Sequence, residues 1–293
     1  MSDAPSGFPP FEAATRHPDP PAGPGSCDAQ VHVFSPDTQR YPPAQKRIYD
    51  PPLGSMDDAL RMHRALGMDR GVVVQATIYG SDNRLMADSI AGRANYRGIA
   101  IVDDSVSDGE LERLHAAGVR GARFNFAAFL GLVPTADEFR RSIRRITELG
   151  WHARVHTSGD ELLEIEGLLR EVTCPIVIDH MAHLEFGRGL QQPAMLLALD
   201  LLRGENWWVM LSSGDRSSTQ ERGWTDAVPF GRRFFEAAPD RAIWCTDWPH
   251  VRYRKPMVND GDLVELLYRF VPEPELRRKV LADNPARLMG FEE

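Results

Sequence analysis

The feature that most constrains this chain is a repeated alternation of short apolar runs and helical patterns, beginning at residue 27. Cys27–Phe34 reads as a first strand. Ser55 then caps a helical stretch, Met56 to Leu66, that stops at Gly67, and Gly71–Gln75 follows as a second strand. The pattern recurs with strands at 98–102, 119–126, 151–156, 175–180, 207–212 and 242–247, and with helices over 81–94, 107–117, 136–149, 159–171, 193–202 and 224–237. Further helices are expected near 260–270 and 273–282. About eight strands, each followed by a helix, predict a parallel sheet. In a chain of 293 residues eight such units fit one closed (β/α)8 TIM barrel. An open doubly wound sheet is the alternative. It loses ground because no G-x-G-x-x-G follows the first strand and no G-x-x-x-x-G-K-[ST] occurs.

The flanks divide accordingly. Residues 1–26 are rich in Pro, Gly, Ala and Ser without apolar periodicity, and predict an extended or disordered arm that can drape over a barrel domain at 27–293. Residues 35–54 form a long loop with Tyr41, Arg47 and Tyr49, placed to act as a lid. A net charge of −8 argues against general nucleic-acid binding, although a local arginine cluster can still hold an anion. No apolar run approaches the ~20 residues of a membrane span, and a secretory signal pattern is absent. Cys27, Cys174 and Cys245 have no metal-type spacing and flank apolar runs. They read as buried free thiols of a cytoplasmic protein.

Ionisable groups gather where these strands end. Strand one carries Asp28, Gln30 and His32, which a period of two places on one side, opposite Ala29, Val31 and Val33. Strand four carries Arg123 and Asn125, strand five ends at His156, and strand six ends at Asp179-His180. Strand seven leads to Asp215-Arg216. Strand eight ends in Asp247, where Pro249 forbids continuation. Each has a bland explanation: a hydrogen-bonded core histidine, a surface ion pair, or, for Asp247, a turn or N-cap residue. Together they sit where a barrel builds its active face, and buried charge is costly unless paired or used. His63, His115 and His152 fall on helices or strand starts and read as structural, while His17 lies in the arm.

Several segments carry a specific resemblance. Asp28-x-x-x-His32, Ile178-Asp179-His180-Met181, Thr246-Asp247-Trp248-Pro249-His250 and the terminal Asp283-Asn284-Pro285-Ala286-Arg287-Leu288 resemble the amidohydrolase 2 branch of the amidohydrolase superfamily. Within it, Val74-Gln75-Ala76, Gly80-Ser81-Asp82-Asn83 and Arg120–Phe126 are similar to the 2-pyrone-4,6-dicarboxylate lactonases. The resemblance implies a barrel that hydrolyses a small, multiply anionic lactone of aromatic-compound degradation, as a monomer or small homo-oligomer. It implies that Asp247 is the general base and proton shuttle, and that His32 and His180 hold or polarise the carbonyl oxygen. Arg123 and Arg216 would grip anionic substituents, with Tyr49, Thr77, Gln30, Asn125 and His156 completing the substrate shell.

Three departures follow. Gln30 stands where the family usually has histidine, Phe129 stands where the pyrone lactonases carry a further arginine, and His156 stands where they tend to have tyrosine. The second favours a differently substituted acid, such as a sulfomuconolactone. The first and third pull the metal question both ways. His32, His156 and Asp247 could supply a mononuclear zinc site, whereas Gln30 is a poor ligand, so the expectation is no metal or one zinc. Two other readings remain: a metal-dependent decarboxylase of an aromatic acid, and a catalytically lapsed ligand-binding barrel.

Overall fold

The computed structural model describes residues 9–45, 47–50, 52 and 54–292. Eight parallel strands form a single sheet in sequential order: β1 (Cys27–Val31), β2 (Arg70–Val74), β3 (Tyr96–Ala100), β4 (Val119–Asn125), β5 (His152–His156), β6 (Ile176–Ile178), β7 (Trp207–Met210) and β8 (Ala242–Ile243). The sheet closes on itself where the chain after β8 meets β1. The Ala29 amide donates to the Trp244 carbonyl (3.0 Å), the Asp247 amide to the Gln30 carbonyl (3.2 Å) and the His32 amide to the Trp248 carbonyl (2.8 Å). The protein is thus the (β/α)8 barrel that the strand–helix rhythm predicts.

Local chemistry explains the helices between the strands. Ser55 caps Met56–Leu66 in a reciprocal box with Asp58, and Gly67 ends that helix in the left-handed region at φ 75°. Thr135 with Glu138 and Ser158 with Glu161 repeat the device. The helix expected over 159–171 breaks at Ile165 into Gly159–Glu164 and Glu166–Leu169. Two apolar layers result. One lies between strands and helices, and a smaller one fills the barrel from below with Cys27, Val72, Val74, Trp208, Met289 and Phe291. No helix among the described residues is long and apolar enough to cross a membrane.

β1 departs from simple alternation. A register shift between Asp28 and Val31 breaks the period of two. Gln30 and His32 therefore point into the barrel, while Asp28 turns to the helix layer. There it accepts from the Thr246 amide (3.0 Å) and hydroxyl (2.5 Å) and lies 3.2 Å from His63 Nε2. The expectation that Asp28 shares a face with Gln30 and His32 is thereby corrected. Asp28 instead fastens the strand-eight loop.

Residues 9–26 run extended over the barrel. Arg16 pairs with Asp262 and Glu265 (2.5 and 2.7 Å), and Phe11 packs edge-on against Trp248, with ring centroids 4.8 Å apart. A Cβ at Gly261 would lie 2.3 Å from the Arg16 carbonyl oxygen, so this close approach needs glycine.

Candidate active site

A cavity of about 450 Å3 opens at the C-terminal ends of the strands. Its wall holds His32, Thr77, Arg123, His156, His180 and Asp247, joined by Tyr49 and Arg216 from the loops above. The sequence-predicted residues therefore converge, with two exceptions. Gln30 is fully buried beneath the floor, and Asn125 holds His156 Nδ1 through its Oδ1 (3.1 Å) rather than lining the cavity. Both contact neighbouring side chains of the site.

Strand geometry alone does not explain how His180 arrives. His180, Met181, Ala182 and His183 all adopt left-handed backbone, with φ of 52°, 50°, 56° and 44°. Each such residue costs about 1–2 kcal/mol, so packing and hydrogen bonds must hold this turn. His180 Nδ1 lies 2.8 Å from the Ser212 hydroxyl after β7. The same turn brings His183 Nε2 to 3.1 Å from His156 Nε2. His183 was not foreseen, because the run after β6 reads as strand in the sequence. The pair His180-x-x-His183 would have been its one visible sign.

Partners define the protonation pattern. His32 Nδ1 faces the Val74 carbonyl (2.8 Å), which can only accept, so Nδ1 carries a proton and Nε2 points inward. His180 Nε2 is approached by two donors, Gln30 Nε2 at 3.0 Å and Arg123 Nη2 at 3.3 Å, and therefore also accepts. Burial holds the His180 and His156 imidazoles well below the ordinary histidine range, with Arg123 adding to the effect. Burial and then Arg216 bring His183 down to about 3. These three rings are neutral in the free protein, and across the 3.1 Å contact His183 Nε2 donates to His156 Nε2. The cationic donors that line the cavity are guanidiniums.

Asp247 lies at the centre. Its Oδ1 accepts from Gln30 Nε2 (2.8 Å), and its Oδ2 lies 3.2 Å from Arg216 Nη2. Burial opposes its charge, but the Arg216 guanidinium outweighs that and holds the carboxyl well below the usual carboxylate range. Arg123 is anchored by Asp179 at 2.8 Å, a buried ion pair. Arg252 and Arg254 also line the cavity and were not foreseen, since they come from the loop beyond Asp247 rather than from a strand end.

The metal set does not form. His156 is committed to Asn125 and His183, and no three His, Cys, Asp or Glu side chains among the described residues group as an ion site. His180 Nε2, His32 Nε2 and Asp247 Oδ1 each face the Gln30 side chain rather than an open centre. The Gln30 amide nitrogen fills their meeting point, at 3.0, 3.4 and 2.8 Å respectively. Its orientation follows from its other end, where Oε1 faces buried Arg154 Nη1 at 3.4 Å. An N–H donor stands where a cation would need to be, so these residues do not fit a metal.

The barrel thus carries one cavity at its C-terminal face, lined by a carboxylate, imidazoles and guanidiniums. The family model described as amidohydrolase matches residues 27–291, and the chain belongs to that family. It is 38% identical to the 2-pyrone-4,6-dicarboxylate hydrolase of Comamonas testosteroni, over 92% of this chain and 91% of the relative. It is also 38% identical to the 4-sulfomuconolactone hydrolase of Hydrogenophaga intermedia, over 91% and 89%. A solved structure from Agrobacterium tumefaciens superposes with a TM-score of 0.84 at 27% identity, covering 94% of this chain and 99% of that one.

Proposed function

We propose that this protein is a carboxylic-ester hydrolase that opens a small, multiply anionic lactone, of the sulfomuconolactone or pyrone-dicarboxylate type, in the breakdown of aromatic compounds. One observation carries the reading: among the described residues, four arginines and a single carboxylate, Asp247, line the cavity of a chain whose net charge is −8. A cationic cavity in an acidic protein selects anions locally, and guanidiniums match carboxylates and sulfonates in shape and charge.

The chemistry follows from the geometry. Asp247, ionised at neutral pH, takes a proton from water as the oxygen attacks the ring ester carbonyl. The charge developing on the carbonyl oxygen is met by Arg123, held in place by Asp179. Collapse of the adduct breaks the ring C–O bond, and the proton on Asp247 passes to the leaving oxygen. Arg216 couples binding to this step. In the free protein it pairs with Asp247 and keeps the carboxylate a weak base. An anionic substituent that draws Arg216 away raises the proton affinity of Asp247 in the complex. The Gln30 amide positions Asp247 and His180 for this step. Three buried free cysteines accord with a cytoplasmic enzyme.

Side-by-side assay of 4-sulfomuconolactone and 2-pyrone-4,6-dicarboxylate tests the reading. Ring opening with acid release is expected, with preference for the sulfonated lactone, since Phe129 in the cavity wall alters the grip on the anions. Carbon dioxide release would indicate decarboxylation and overturn the proposal.

A further inference from the structure

Among the cavity arginines, two are committed. Arg123 is tied to Asp179 at 2.8 Å and Arg216 to Asp247 at 3.2 Å. Arg252 differs. Its guanidinium lies over the Phe129 ring, 4.8 Å from the centroid, and among the described residues it forms no ion pair. Among the described residues its buried Nη1 has no hydrogen-bond partner. An orphaned buried guanidinium nitrogen is costly, and it normally marks a group waiting for something that binds.

The surroundings sharpen the point. Burial, then Arg254 and Arg216, push Arg252 below its ordinary value, so the cluster is self-repelling until an anion enters. Phe129 is 56% exposed and offers the guanidinium a flat, apolar seat that fixes its plane without neutralising it. The loop carrying Arg252 is braced. The buried His250 ring lies 2.9 Å from Asp260, and the Tyr253 amide donates to the His250 carbonyl (3.1 Å). Arg252 sits five residues beyond Asp247 on this same loop, so the anion grip and the base move as one piece.

We propose that Arg252, seated on Phe129 and seconded by Arg254, forms an anion subsite at the cavity mouth that takes one acidic substituent of the substrate and determines specificity for multiply charged rings. The proposal rests on the lactone-hydrolase reading for its substrate, and its test separates the two. In Arg252→Gln, kcat/KM is measured for 2-pyrone-4,6-dicarboxylate and for each of its two monoesters, alongside wild type and Arg252→Lys. Loss of a charge-assisted pair predicts a KM increase of roughly 10–100-fold for the diacid and for the monoester that keeps the gripped anion. The other monoester is penalised at least ~10-fold less. Arg252→Lys restores part of the loss, because it keeps charge but not the planar seat. An equal loss on all three substrates, or no loss on any, overturns the subsite.

Should wild type open neither these lactones nor 4-sulfomuconolactone, the functional reading fails by itself; in that case, or if only 4-sulfomuconolactone is opened, calorimetric titration with pyridine-2,4-dicarboxylate decides the subsite. Weaker binding to Arg252→Gln, by roughly 10-fold or more, upholds it. Unchanged binding refutes it.

Discussion

Replacing Asp247 by asparagine separates the base from the framework around it. The change removes a negative charge and one acceptor while keeping shape. Both carboxylate oxygens face donors: Gln30 Nε2 at 2.8 Å on one side and Arg216 Nη2 at 3.2 Å on the other. An asparagine has one oxygen, so its NH2 must confront one of them. Gln30 cannot simply turn its own oxygen forward, because that oxygen faces Arg154. One buried donor is left without a partner, at a cost of about 1–3 kcal/mol. For a domain of this size that lowers the melting temperature by a few degrees. Loss of the base costs a further ~10²–10⁴-fold in kcat. Binding of an anionic product analogue should be kept or tightened, since Arg216 is released from its internal carboxylate. The assay combines turnover by mass spectrometry of the opened product, a thermal melt and a calorimetric titration. Near-wild-type kcat with an undisturbed melt would refute the reasoning, because Asp247 would then be neither base nor acceptor.

Other outcomes follow from the same contacts. Gln30→His removes the amide plug and adds an imidazole beside His180, His32 and Asp247, so this variant should bind zinc stoichiometrically where wild type does not, as read by elemental analysis. Arg216 helps to hold Asp247 below the ordinary carboxylate range. Wild type should therefore show no acid limb in kcat/KM near pH 5, whereas Arg216→Gln raises the Asp247 pKa and shifts the limb to higher pH; an unmoved profile counts against the coupling. Arg123→Met leaves Asp179, whose Oδ1 already lacks a partner among the described residues, buried and uncompensated. Urea denaturation should record a loss of about 3–5 kcal/mol, and a neutral result would mean the pair contributes nothing net.

The barrel was legible because burial on both faces of a parallel sheet writes continuous apolar runs, and capping pairs such as Ser55–Asp58 mark the helices between them. The site was most legible where side chains stand on strand ends, as His156 does, or just beyond them, as Asp247 does. It was illegible where the backbone leaves the regular path. The bulge in β1 turned Asp28 to the helix layer, and the left-handed turn at 180–183 brought in His183. Arg252, at φ 57°, reaches the cavity from a loop that no periodicity describes. The role of Gln30 was half visible. Its residue type signalled poor metal binding, but only the convergence of His32, His180 and Asp247 on its amide nitrogen shows what it does in place of a ligand.

Ring opening by metal-stripped protein in water enriched in the heavy oxygen isotope tests the account most directly. With 4-sulfomuconolactone as substrate, the account predicts one heavy oxygen in the newly formed carboxylate, no carbon dioxide, and a rate that chelation leaves unchanged. A rate abolished by chelation and restored by zinc, or a product that has lost carbon dioxide, would contradict it.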